Sequence, residues 1–322
     1  MSGAPLTVRP YAPGDREAWE KVAATSWNGT FLHSRRYMSY ADGEFTDASL
    51  VVEDRKGRIG GIFPAAVHQS DPSMIESHEG ISYGGLVHDG SLGGELMLAA
   101  LEGIADRYYH DGKRTLRIKA VPHVYHRVPA DDDLYALFRL GATRTRCHLA
   151  SVVDVQNRPA PSKRRVRSLG KAQRAGVQLE RGAPLLEPFW TILTDRLSTK
   201  HEAAPFHTWP QMQRLQESFP EQIECVAGTL DGAVVAGVVL FHTAQVVHAQ
   251  YIGSNDRGYD TCAVDLILQE CLDECRRRGI RYFSLGNSTL YGGRVFSESL
   301  YRFKAEFGAG TVAHESYDLP LG

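Results

Sequence analysis

What this 322-residue chain has little of removes several classes of protein at once. No uninterrupted apolar run approaches ~20 residues, so no stretch reads as a membrane-spanning helix and no membrane insertion is expected. Only five cysteines occur, an odd and unpatterned set. That excludes a disulfide framework and suits reduced thiols. Neither sign of charge dominates: Lys+Arg 36 against Asp+Glu 38 leaves a net −2. A balanced chain is not built to coat nucleic acid, and no DNA partner is expected, although a local basic patch remains open. The opening Met-Ser-Gly-Ala-Pro-Leu-Thr lacks the basic and apolar regions of a signal peptide, which together with the thiols predicts a cytoplasmic protein. No G-x-S-x-G elbow, P-loop or G-x-G-x-x-G fingerprint is present. His123-Val-Tyr-His126 and the Cys271, Cys275 pair each offer two ligands, yet no second pair has zinc spacing, so no metal is expected. Cys147 and Cys225 are nucleophiles only if a base lies beside them.

What is present is organised around residues 279–310. Ile280 to Leu285 reads as a short buried strand that runs into the polar, glycine-rich loop Gly286-Asn-Ser-Thr-Leu-Tyr-Gly-Gly293. A helix follows, with Leu300, Phe303 and Phe307 along one face and Gly308 placed to stop it. Ligands of α/β sheets sit at strand carboxyl ends, and Lys304 lies on the helix next to that loop. The same order of features occurs earlier. Asp111 to Lys119 reads as a strand and Leu134 to Ala142 as a helix, and Gly112 and Gly141 are 29 positions apart, as are Gly279 and Gly308. Helices precede both glycines, at Leu92 to His110 and Cys262 to Arg278. Hairpins precede both helices, around Lys56-Gly57 and Asp231-Gly232. The chain therefore reads as an α/β protein made of two copies of one unit, 1–156 and 157–322, each a mixed twisted sheet flanked by helices. A hydrophobic content of 43% over this length is enough for two cores.

The first copy opens with a strand at Leu6, a helix capped by Asp15, and a second amphipathic helix expected over Thr30 to Tyr40 with Phe31, Tyr37 and Tyr40 inward. Pro64 marks an edge or bulge. Glu76-Ser-His-Glu-Gly-Ile-Ser-Tyr-Gly-Gly-Leu86 crowds three glycines, His78 and Tyr83 beside a strand; it is either an irregular strand or a ligand-lining segment. Asn157, Pro159 and Pro161 break the chain at the junction. Then Ser162 to Arg174 carries six basic residues and no acid. As a helix it puts Arg164, Arg167, Lys171 and Arg174 on one stripe, with Val166 and Leu169 on another. The stripe is either a solvated face or a surface for phosphates. Lys200-His-Glu-Ala-Ala-Pro-Phe-His207 reads as a polar loop able to act as a lid.

Taken together, the strand ending in Gln250-Tyr251, the long helix, the loop and Phe303-Lys-Ala-Glu-Phe-Gly308 resemble the second half of FemABX-type proteins, which are tandem-domain members of the GNAT acyltransferase superfamily. Lys171-Ala-Gln-Arg-Ala-Gly-Val177 is similar to the segment opening their second domain. Thr30-Phe-Leu-His-Ser-Arg-Arg-Tyr37 and Ser77 to Gly85 are similar to segments of other GNAT proteins. The resemblance implies two tandem GNAT-like domains and a transferase that makes amide bonds. In the FemX branch the donor is aminoacyl-tRNA and the acceptor an amine of a cell-wall precursor; some relatives use small-molecule amines, and other GNAT proteins use acyl-CoA. The family lysine maps onto Lys304. Two departures stand out. The pyrophosphate turn [RQ]-x-x-G-x-[GA] is replaced by Asn255-Asp-Arg-Gly-Tyr-Asp-Thr-Cys262, without the second small residue. The coiled-coil arm of some Fem proteins has no room between Pro161 and Pro184.

Aminolysis needs a neutral amine, a destination for its proton and stabilisation of an oxyanion. The expected catalytic residues are Lys304, for the oxyanion, and Tyr251, for a proton or a hydrogen bond. Asn287, Ser288, Thr289 and Tyr291, with His78 and Tyr83 in the first copy, are the expected substrate-side groups. Arg164, Arg167, Lys171 and Arg174 are expected at donor phosphates or RNA. Glu298 and Glu306 are candidate bases, with Glu306 able to pair with Arg302 instead. The expected activity is transfer from aminoacyl-tRNA to an amine, with no bound cofactor. The alternatives are an acyl-CoA-dependent transferase acting on an amino sugar or other amine, and a non-catalytic module that binds RNA or a glycan.

Overall fold

The computed structural model describes residues 6–41, 43–201 and 203–322. The first five residues of the amino-terminal stretch, and Glu202 in the expected lid, lie outside them. The chain forms two compact units. The first comprises 1–148, 289–295 and 313–322, the second 149–288 and 296–312. The proline-containing junction at 157–161 lies within the second unit.

In the first unit Leu6–Pro10, Leu50–Asp54, Ile59–Phe63 and Val87–His88 form one antiparallel sheet. A second group centres on Thr115–Lys119, with Met74–Ser77 parallel on one side and Ser316 to Pro320 antiparallel on the other. Phe63 pairs with Leu50 in the first sheet, whereas Ala65 pairs with Ser77 in the second. The chain changes sheets at Pro64, which has no N–H to leave unpaired. Helix Glu95–His110 lays Met97, Leu101, Ile104 and Tyr108 into a core with Leu50, Phe63 and Leu116. The helix expected over Thr30 to Tyr40 is instead three short turns, Phe31–His33, Arg35–Met38 and Ser39–Ala41. Side chains interrupt it: His33 Nδ1 accepts the Thr30 N–H, and extended Ser34 caps the Tyr37 N–H. Tyr37 and Tyr40 are nevertheless buried.

In the second unit Gln178–Arg181, Ile223–Leu230, Ala233–His242 and Val246–Ser254 run antiparallel. Asp231 and Gly232 both take left-handed φ, +52° and +76°, as a tight two-residue hairpin requires. Helix Ala263–Arg277 buries Ile267, Leu268, Cys271, Leu272 and Cys275 against the sheet. Helix Leu186–His201 packs on the opposite face, where the Phe189 ring stands 2.4 Å from where a Cβ of Gly237 would be, so only glycine fits. Tyr282–Asn287 then runs parallel to Val246–Ser254 and antiparallel to residues 150–154.

Candidate functional site

The second unit's sheet opens where its two parallel strands meet. Val246, Val247 and His248 pair with Tyr282, Phe283 and Ser284, and no pairing follows beyond them. Two backbone irregularities lie there. On the first strand Val239 faces Tyr251 and Leu240 faces Ala249, so Gln250 is an extra residue, a bulge. On the second strand Gly286 turns to φ +73°. Strands that part in this way expose carbonyl groups for which the sheet supplies no donor.

Lys304 supplies the donor. Helix Glu298–Ala305 carries it inward, where its side chain is buried, and its ammonium donates to the carbonyls of Gly286 at 2.9 Å and Asn287 at 2.5 Å. An ammonium has three donors. No carboxylate pairs with it among the described residues, and burial pushes its pKa down to about 8. Beside it His248 accepts from or donates to Ser284 Oγ at 3.0 Å. Burial, and secondarily the charge of Lys304, hold that imidazole down to about 4, so it is neutral at pH 7. His248 was not among the expected site residues. Its signal in the sequence was a histidine set between valine and alanine in a largely apolar strand.

Tyr251 is buried against Trp190, ring centroids 5.0 Å apart. Its hydroxyl accepts the His207 N–H at 3.2 Å and hydrogen-bonds His207 Nδ1 at 2.6 Å. Burial raises its pKa to about 12, so it is a neutral phenol held in place. Asn287 is exposed at the strand end, and buried Ser288 lies 3.4 Å from Ser151 Oγ.

The remaining expected substrate-side residues belong to the first unit. Thr289 Oγ1 is 3.1 Å from His148 Nδ1, and Tyr291 is exposed at φ +50°. Tyr83 is buried, 3.3 Å from Thr30 Oγ1 and packed on Tyr125. His78 is buried at φ +52° and donates from Nε2 to the Leu32 carbonyl.

Helix Lys163–Arg174 exposes Arg164, Arg167, Lys171 and Arg174 as expected from their spacing. The inward face differs from the expectation: Val166 is 55% exposed, and Arg165 is buried instead. Arg165 bonds Asp265, Glu306 at 3.1 Å and the Phe303 carbonyl at 3.1 Å, and stacks over Phe307 at 4.0 Å. Glu306 thus pairs with Arg165 and, at 3.4 Å, Arg164. Arg302 pairs with Glu298. Neither glutamate stands as an unpaired base. Arg165 reads in the sequence as one more basic residue; only packing distinguishes it.

Among the described residues no group of three or more His, Cys, Asp or Glu could hold a metal, no helix is long and apolar enough to cross a membrane, and all five cysteines are free thiols.

Residues 158–298 match the acetyltransferase (GNAT) domain family. No curated protein matches the sequence. Among solved structures the chain is similar to FemX, at 10% identity and TM-score 0.71, covering 98% of this chain and 97% of that one. It is similar to L-PGS from Bacillus licheniformis, at 10% identity and TM-score 0.63, covering 98% and 92%. It is also similar to a tandem GNAT protein from the clavulanic acid biosynthesis pathway, at 12% identity and TM-score 0.55, covering 98% and 99%. The chain has the tandem GNAT fold, an acyltransferase fold, over its whole length.

Proposed function

We propose that the second unit forms amide bonds, transferring an aminoacyl group from aminoacyl-tRNA to an amine of a small molecule or of a cell-wall or natural-product precursor. The observation that carries this is Lys304, a buried ammonium with no acid partner among the described residues and two of its three donors on carbonyls where the strands part. In such a transfer the amine nitrogen attacks the ester carbonyl of the donor. The C–N bond forms, the ester C–O bond breaks, and the amine's proton ends on the released ribose hydroxyl. The charge that develops on the carbonyl oxygen calls for a fixed cation in a dry site. Lys304 is that cation, and Tyr251 borders the opening as a neutral hydrogen-bonding group.

The choice of donor rests on the basic helix and on the long helix 263–277. A pyrophosphate bound at a helix N-terminus needs free N–H groups and no negative charge nearby. Here Asp265 occupies the first turn of Ala263–Arg277, paired with Arg165, and Arg257 of the preceding turn pairs with Asp231. A Cβ on Gly258 would lie 2.2 Å from the Val235 carbonyl, so that glycine serves packing rather than a phosphate. The exposed cations Arg164, Arg167, Lys171 and Arg174, with Lys163 at the start of the same helix, suit a polyanion. The FemX-like fold is consistent with this donor.

The test is binding of charged tRNA and of acetyl-CoA to the purified protein at two salt concentrations, followed by transfer to an amine panel. Tight tRNA binding that falls steeply with salt, and weakens when Arg164 and Arg167 become Ala, is expected. Submillimolar, salt-insensitive binding of acetyl-CoA would replace the donor. Binding without turnover under any donor would make the fold a recognition module.

A further inference from the structure

We propose that a cavity in the first unit is a binding site for a small organic ammonium ion. The cavity has a volume of about 270 Å³ and lies among the turns of residues 31–41, strand Ala65–Val67 and residues 78–81. That is near the small end of ligand pockets, ~300 Å³, and suits a compact amine rather than a nucleotide. Tyr11, Tyr40 and Phe45 form aromatic walls.

A carboxylate oxygen that lines the cavity has no hydrogen-bond partner among the described residues. Glu79 Oε1 accepts the Gln69 N–H at 3.2 Å, whereas Oε2 is buried and meets no donor among the described residues. A buried acceptor in that state is unfavourable until something donates to it. The cations nearby are engaged elsewhere. Arg35 is bound to Asp47, donates to Ser49 Oγ at 3.0 Å and lies over the Tyr11 ring at 3.9 Å. Lys119 gives its protons to the His78 and Ile81 carbonyls and to Glu76 at 3.1 Å, so that it acts on Glu79 through its charge and not through a hydrogen bond. His78 is neutral, its pKa pushed well below the ordinary value by burial, and its Nε2 donor is spent on Leu32. Arg16 is exposed. The cavity therefore presents a charge-accepting oxygen beside aromatic surface, a combination that recognises an N–H cation on an apolar body. The site belongs to the first unit alone and does not rest on the acyl-transfer reading.

The experiment titrates the full-length protein with 2-phenylethylamine and with 2-phenylethanol, its neutral counterpart, by calorimetry. The amine is expected to bind at least tenfold more tightly. Glu79→Gln should remove that preference and leave the alcohol unchanged, and Phe45→Ala should weaken both probes. Equal binding of amine and alcohol, an amine preference that survives Glu79→Gln, or no binding of the amine at millimolar concentration would each overturn the proposal. Because turnover at Lys304 is measured separately, loss of this site leaves the acyl-transfer reading standing, and the reverse also holds.

Discussion

Among the described residues each unit buries one lysine beside a strand, and the two lysines are satisfied differently. Lys119, at the end of Thr115–Lys119, donates to two backbone carbonyls and also meets the Glu76 carboxylate at 3.1 Å. Lys304 donates to two carbonyls and meets no acid among the described residues. Burial lowers the pKa of both, but charges, that of Glu76 foremost, work against burial only at Lys119. The sheets differ in parallel. In the first unit the edge of Thr115–Lys119 is filled by Met74–Ser77, which delivers Glu76; in the second, the matching edge of Tyr282–Asn287 is paired for three residues and then left open. A filled edge makes a neutralised structural cation. An open edge leaves a cation whose charge is available to whatever enters.

The largest expected effect breaks the first half of this contrast. Lys119→Met leaves Glu76 buried without its closest cation and should cost about 3–5 kcal/mol of stability, read from denaturant unfolding, with turnover per folded molecule unchanged. If it folds as stably as the parent, Lys119 is not a paired structural ion. Lys304→Met should do the opposite: a fall in turnover of about a hundredfold to a thousandfold, with stability unchanged or improved. Unaltered turnover would remove Lys304 from the chemistry.

Titration sharpens the same comparison. The Lys304 pKa falls from its ordinary 10.5 to about 8 in the folded chain. Between those values the unfolded chain binds the proton that the folded chain has released, so stability must rise with pH across that window. The gain is on the order of 3 kcal/mol, complete above pH 10.5 and absent below about 8. The difference between the parent and Lys304→Met isolates it; parallel curves would show that Lys304 is not depressed. Since the charged form is the one required, turnover should fall as pH rises through about 8.

The smallest effect separates strain from chemistry. Gly286→Ala and Gly57→Ala each place a side chain at left-handed φ, +73° and +77°, costing about 1–2 kcal/mol. At Gly286 the new Cβ would lie 3.5 Å from His248 Cε1, an ordinary contact. Equal melting shifts are expected, with turnover lowered at Gly286 only.

Much of this was legible in the residues. The hairpin at Asp231-Gly232, the long helix 263–277 and the Phe303-Lys304 helix follow from turn chemistry and apolar spacing, because those signals are local. The resemblance carried by Phe303 to Gly308 pointed to Lys304. Arg165, His248 and Lys119 were missed for a common reason. Each is a polar residue whose role depends on partners distant in the chain: Asp265 for Arg165, Ser284 for His248, Glu76 for Lys119. The Thr30 to Tyr40 expectation failed because its apolar spacing is helical while its side-chain oxygens and His33 compete for the backbone.

The sequence by itself therefore determined the tandem α/β organisation, the order of its elements and the basic helix face, since spacing and turn residues act over a few positions. Only the tertiary structure decided which of the buried lysines keeps an uncompensated charge, which arginine is internal and which carboxylate faces a cavity. Desolvation and pairing are set by groups brought together from far apart along the chain, and no local pattern records them.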